Sequence, residues 1–257
     1  MVDARYLESD DYERVTTNND PWPLAPVDEA IKRDTGSYRV LNLAVNTFND
    51  ASTSYHHQSI GGYHGAKMKR YQELIENCLA GEITTIRGAV NRQDPAMMQV
   101  LTGQPALNML NAKYIIFNKE AAPFSNLGAM GNAWMVPSYR LVPNADSEIV
   151  AVKSFNPASE MIVDARFKDQ LNGYGFVPDS TSSISLTKYQ PNDLVYAFHS
   201  NAERLVVFSE IYYDKGWNAY VDGKQAPYFR TNYVLRGMRL PAGNHQVEFK
   251  FEPEVVA

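Results

Sequence analysis

The sequence predicts an α+β protein: a mixed α/β domain over residues 1–178, followed by a C-terminal antiparallel β-sandwich of about seven strands over residues 179–257. Two observations carry this. Within residues 63–81, Met68, Tyr71, Ile75 and Cys78 recur three or four apart, with Leu74 and Leu79 widening the stripe, which is the period of an amphipathic helix. After Asp179 the pattern changes to β-branched, aromatic and alternating runs separated by turn residues.

Taken in order, residues up to about 54 are polar, with a turn at Pro21-Trp22-Pro23, a short helix over 27–32 and a strand over 38–45. The amphipathic helix follows and is predicted to stop at Gly81. Asp94-Pro95 is a helix start, because Asp accepts free N–H groups and Pro fits the first helical position. Gly103 and Pro105 interrupt that helix, residues 107–110 resume it, and 113–117 reads as a buried strand. Further strands are predicted over 134–142 and 161–164, with a helix at 146–153 between them. Val2-Asp-Ala-Arg-Tyr6 is echoed by Val163-Asp-Ala-Arg-Phe167, but without flanking similarity the echo reads as coincidence. The sandwich strands are predicted at 184–189, 194–199, 205–213, 217–221, 226–231, 234–240 and 246–251. Asp222-Gly223 is a two-residue hairpin signal, since a turn matching strand twist needs positive φ at both central positions.

The composition, 44% apolar and 21% charged, is that of a globular chain with enough material for a real core. A net charge of −5 argues against nucleic acid as a partner, because phosphate binding needs a basic surface. Cys78 is the single cysteine, so no intrachain disulfide can form, and its place in a helical stripe reads as a buried apolar residue. The longest apolar stretches, such as 114–117 and 205–208, fall far below the roughly 18–20 residues that cross a bilayer. The first residues read as interior sequence behind a start methionine, without an apolar signal core.

Three of the five histidines, His56, His57 and His64, fall within a Gly-rich, aromatic segment that also holds Tyr55 and Tyr63. Imidazoles are common metal ligands, and Asn49 and Asp50 could add oxygens, but the spacing matches no metal motif. A structured loop with packed or hydrogen-bonded rings explains the segment as well. No cofactor is expected. No nucleophile elbow occurs, and Cys78 has no evident base. Glu210, beside Tyr212, Tyr213 and Trp217, is the most suggestive acid; a place on the outer face of a strand explains it too. Aromatic rings here suit sugar stacking, partner contact or core filling.

Three segments of the C-terminal part, SEIYYDKGWNAYVDGK (209–224), RTNYVLR (230–236) and PAGNHQVEFKFEP (241–253), closely resemble the last soluble segment of YfhO-like bacterial membrane proteins. Upstream, FNDASTSYHHQSIGGYH (48–64), NMLNAKYII (108–116) and LGAMGNAW (127–134) resemble the Bacteroidetes-type form. The resemblance implies a polytopic protein similar to type C glycosyltransferases, which use lipid-linked sugars on the outer face of the cytoplasmic membrane. Their catalytic acid is expected in an early extracytoplasmic loop to which no residue of this chain corresponds, so no catalytic residue is carried over. The soluble part would face the periplasm, with the transmembrane portion of the same protein as partner and a glycan or lipid-linked sugar as ligand.

The expected function is therefore a non-catalytic periplasmic domain that binds or orients a glycan or acceptor, using Tyr55, His56, His57, Tyr63, His64, Glu210 and Trp217. The alternative is a free-standing carbohydrate-binding or metal-dependent hydrolytic protein built on His56, His57 and His64. A third reading is a structural spacer docked on the membrane portion.

Overall fold

The computed structural model describes residues 22–63 and 65–253. Pro21, His64 and the first copy of the five-residue echo lie outside them; the second copy spans the end of one strand and the start of a 3-10 turn.

The first part begins with α1 (Pro26–Lys32), which Pro26 opens and where Asp28 Oδ2 accepts the Ala25 N–H at 3.0 Å. Strand β1 (Arg39–Asn42) lies parallel to β2 (Ala112–Ile116), and β3 (Phe124–Ser125) completes a small sheet in the order β1-β2-β3. Between β1 and β2 come the single turn α2 (Thr53–His56) and a long helix. That helix runs as α3 (Lys69–Leu74), a π-turn (Ile75–Leu79) and α4 (Ala80–Asn91). It does not stop at Gly81. A Cβ there would meet open space, and Glu82, Ile83, Ile86 and Ala89 continue the buried face, so packing overrides the local weakness of glycine. Short helices α5 (Met97–Thr102) and α6 (Pro105–Met109) follow, and Asp94 Oδ1 accepts the Ala96 N–H ahead of α5.

The predicted run over 134–142 is two strands, β4 (Ala133–Val136) and β5 (Ser138–Val142), divided at Pro137, which cannot donate to a ladder. Strand β5, helix α7 (Ala145–Val152) and parallel strand β6 (Glu160–Asp164) form a small crossover unit, with Asn144 Oδ1 capping α7 through the Ser147 N–H.

The C-terminal part holds β7 (Ser183–Gln190), β8 (Asp193–Ser200), β9 (Arg204–Ile211), β10 (Trp217–Val221), β11 (Lys224–Ala226), β12 (Phe229–Thr231), β13 (Leu235–Leu240) and β14 (Gly243–Phe251). The predicted 226–231 strand is again divided at a proline, Pro227, and its halves enter different sheets. One antiparallel sheet runs β11-β10-β14-β8-β7 and the other β12-β13-β9-β4. Alternation places Leu194, Tyr196 and Phe198 of β8 with Val247 and Phe249 of β14 against Val206 and Phe208 of β9 and Met238 and Leu240 of β13.

The second sheet is buried on both faces. Leu205 and Val207 of β9, with Phe229 and Leu235, join a separate core with Trp134, Leu107, Ile162 and residues of the long helix. The architecture is thus three layers: a five-stranded sheet, a four-stranded sheet that borrows β4 from the first part, and the α/β elements packed outside it.

Candidate functional site

The histidine segment serves α1. In His56, Nδ1 faces the Lys32 ammonium at 3.3 Å and Nε2 faces the Trp22 carbonyl at 2.7 Å. An ammonium only donates, so Nδ1 accepts and the Nε2–H donates to the carbonyl. His57 Nε2 lies 2.8 Å from Asp28 Oδ1, with only 4% of its side chain exposed. Burial lowers its pKa, against the pull of Asp28. Asp28 therefore holds the start of α1 with one oxygen and His57 with the other. Tyr55 packs edge-on to His56 with centroids 5.0 Å apart. Among the described residues no group of three His, Cys, Asp or Glu side chains could hold a metal ion. His64 is outside the described residues.

Tyr63 stands elsewhere, on the rim of a cleft of about 540 Å³ where the α/β part meets the end of β9. The residue is 71% exposed. Phe48, Ile60, Met68, Tyr71 and Ile211 supply apolar walls, and Arg39 and Lys67 the charged groups. The Lys67 ammonium lies 5.8 Å from the Phe48 ring centroid, and the Tyr71 hydroxyl donates to the Ile60 carbonyl at 2.6 Å. The wall at Gly61 is bare backbone by necessity, since a Cβ there would sit 1.7 Å from the Thr47 carbonyl oxygen. A larger cavity of about 870 Å³ lies across α2, lined in part by Trp22, Asp28, Asp50 and His56. The polar side chains of that set are already engaged within the fold: Asp50 accepts the Ser52 N–H, and Asp28 and His56 hold α1.

Glu210 and Trp217 meet through arginines. Arg39 Nη1 donates to the Leu110 carbonyl at 2.9 Å and to Ser209 Oγ at 3.0 Å, while Nη2 lies 3.6 Å from Glu210 Oε1. Arg236, 2% exposed, donates from Nε to the Ile211 carbonyl at 3.2 Å. Its guanidinium lies 4.2 Å from the Trp217 centroid and 4.9 Å from that of Phe249. Burial lowers the Arg236 pKa, and Glu210 is the leading charge that opposes this. Glu210 thus pairs with Arg39 at the sheet junction, its charge also favours the charged form of Arg236, and Trp217 is the face on which Arg236 rests. Among the described residues, the predicted site residues do not converge: His56 and His57 tie down α1, Tyr63 borders the cleft, Glu210 pairs with Arg39, and Trp217 lies under Arg236.

Sequence reasoning missed Arg39, Phe48, Lys67 and Tyr71 as cleft residues. Arg39 carried a signal as a charge opening an apolar strand. It also missed the role of RTNYVLR. This segment is the tip of the β12–β13 hairpin, driven into the α/β part. Asn232 donates its N–H to the Ile162 carbonyl and accepts the Ile162 N–H on Oδ1, both at 2.8 Å, at a φ of 48°. Fully buried Glu148 accepts the Tyr233 N–H at 3.0 Å and lies 3.5 Å from Arg230 and 3.6 Å from Arg70.

Residues 179–257 match the family model described as "Bacterial membrane protein YfhO". The matched stretch contains β7 to β14, whereas the walls of the cleft come mostly from residues before it. Neither a curated protein nor a solved structure matches the chain. No helix among the described residues is long and apolar enough to cross a membrane.

Proposed function

We propose that this chain is the region of a YfhO-like bacterial membrane protein, of the Bacteroidetes type, that lies outside the bilayer on the periplasmic face. In this reading it performs no turnover itself. The junction cleft binds and orients a glycan or lipid-linked sugar for a glycosyltransferase-like step carried out by the transmembrane portion of the same protein. The family match of the sandwich is the observation that carries the reading, because β9 of the matched segment also contributes Ile211 to the cleft. The cleft chemistry supports it: an exposed phenol ring over an apolar floor offers the stacking surface that sugar rings use, and clefts between packed parts of a chain are common ligand sites.

Calorimetric titration with envelope glycans tests the ligand, comparing the parent with Tyr63→Ala. Loss of one stacking ring is expected to weaken binding by about 1 kcal/mol, roughly fivefold. Indifference to glycans in both this chain and the full-length protein removes the glycan assignment. An open reading frame without apolar helices beside this segment removes the membrane assignment. Stoichiometric zinc in the purified protein would favour the hydrolytic alternative at His56, His57 and His64.

A further inference from the structure

Two motifs from the sequence remain unused by the cleft, the Asp222-Gly223 turn and the PAGNH turn. They meet at one end of the sandwich. The β10–β11 hairpin turns at Asp222 and Gly223 with φ of 51° and 76°. The Asp222 N–H donates to the Gln246 carbonyl, and Asp222 Oδ1 accepts the Gln246 N–H, both at 2.9 Å. Between these two turns lies the His245 ring.

Both ring nitrogens of His245 face acceptors. Nδ1 is 2.7 Å from Asp222 Oδ2, and Nε2 is 3.1 Å from the Ala242 carbonyl oxygen. A neutral imidazole has one N–H and would leave the other lone pair pointing at an oxygen; only the imidazolium satisfies both. The turn is built for this approach. Gly243 has a φ of 134°, and a Cβ there would lie 2.7 Å from Nε2. The ring also stacks on Phe198 of β8, centroids 6.2 Å apart and planes 19° from parallel.

We propose that His245 and Asp222 form a pH-operated latch: the doubly protonated imidazole donates to both the β10–β11 hairpin and the β13–β14 turn, and loss of one proton leaves one of these two acceptors without a donor and loosens the junction. Asp222 is the charged group that acts on the ring, and Lys224 from the same hairpin acts on Asp222. From β8 the ring meets Phe198, while His199 is occupied by Asn244 Oδ1 at 2.8 Å. The β13–β14 turn presents the Ala242 carbonyl. In keeping with this geometry, the Asp222 hydrogen bond raises the His245 pKa above its ordinary 6.5. The sign follows: the latch is fully closed below about 6.5 and is lost as pH rises through the raised value. This inference does not depend on the glycan reading.

The test uses the whole chain. Nitrogen-correlated NMR follows His245 from about pH 5.5 to about 8.5, and hydrogen exchange at the Asp222 and Gln246 amides is measured over the same range. The midpoint is expected above 6.5, with protection at these amides, corrected for intrinsic exchange, falling about tenfold per unit of pKa elevation as pH passes it. Asp222→Asn keeps a residue that tolerates the left-handed turn but removes the charge, and is expected to lower the midpoint and flatten the protection profile. His245→Gln is expected to give protection that no longer varies with pH. A parent midpoint at or below 6.5, or a protection step that survives in His245→Gln, overturns the latch.

Discussion

Glu82 lies on the inner face of α4, 9% exposed, and its carboxylate accepts the Ala106 and Leu107 N–H groups at 2.8 and 2.9 Å, capping the start of α6. Burial pushes its pKa from 4.5 up to about 7, although the two N–H donors pull the other way. An acid whose folded pKa is raised is held more tightly as a proton carrier in the folded state, so stability declines as pH rises between the two values. The interval from 4.5 to about 7, at ~1.4 kcal/mol per unit, corresponds to ~3 kcal/mol. Glu82→Gln removes the titration and keeps one acceptor. Urea unfolding of parent and variant at a series of pH values reads the difference directly. That difference is expected to move by ~3 kcal/mol in favour of the variant between pH ~4.5 and ~8. His57 works in the opposite sense, since burial lowers its pKa and its contribution fades as pH falls below 6.5, but it is present in both proteins and cancels. A difference that stays constant across this range would refute the argument that a buried, charged cap is what Glu82 provides.

Gly81→Ala, at a helix interior where the new Cβ meets open space, is expected to stabilise the protein by ~0.5–1 kcal/mol in thermal unfolding; destabilisation would mean the helix does not run through this point. Arg230→Met leaves Glu148 short of a counter-charge and is expected to cost ~3–5 kcal/mol, with part recovered in the double variant carrying Glu148→Gln; a neutral single variant would contradict the pairing. A fragment of residues 179–257 lacks β4 and exposes the outer face of β9, so it is expected to bind apolar dyes and lose cooperative unfolding; a monomeric fragment with a sharp transition would show that the borrowed strand is dispensable.

The sandwich strands were legible because one-sided burial writes itself as alternation: Leu194, Tyr196 and Phe198 point to the inter-sheet core while their neighbours do not. Two elements were misread where proline spoke more strongly than apolar continuity. Pro137 and Pro227 each divide a run that looked like one strand, and each marks a change of sheet. Gly81 erred in the other direction, because the π-turn before it and the buried face after it are tertiary facts. At the site, the exposed ring of Tyr63 could be anticipated from its Gly-rich setting. The roles of His56 and His57 could not, since their partners Trp22, Lys32 and Asp28 lie 24 to 34 residues upstream in a stretch with little periodicity of its own.

The unbroken apolar run of β9 held more information than its strand assignment used. A strand with one solvated face alternates, whereas Leu205, Val206, Val207 and Phe208 are all fully buried, which requires a layer on each side. Val206 and Phe208 meet the five-stranded sheet, and Leu205 and Val207 meet the α/β elements. Where that doubly covered strand ends, polar side chains take over: Ser209 donates to the Met109 carbonyl, Glu210 pairs with Arg39, and Ile211 reaches the cleft wall. The cleft exists because the two parts stop packing at this point. A change in how the β12–β13 hairpin seats at Ile162 and Glu148 would therefore alter the angle of the middle sheet and reshape the cleft without touching a residue that lines it.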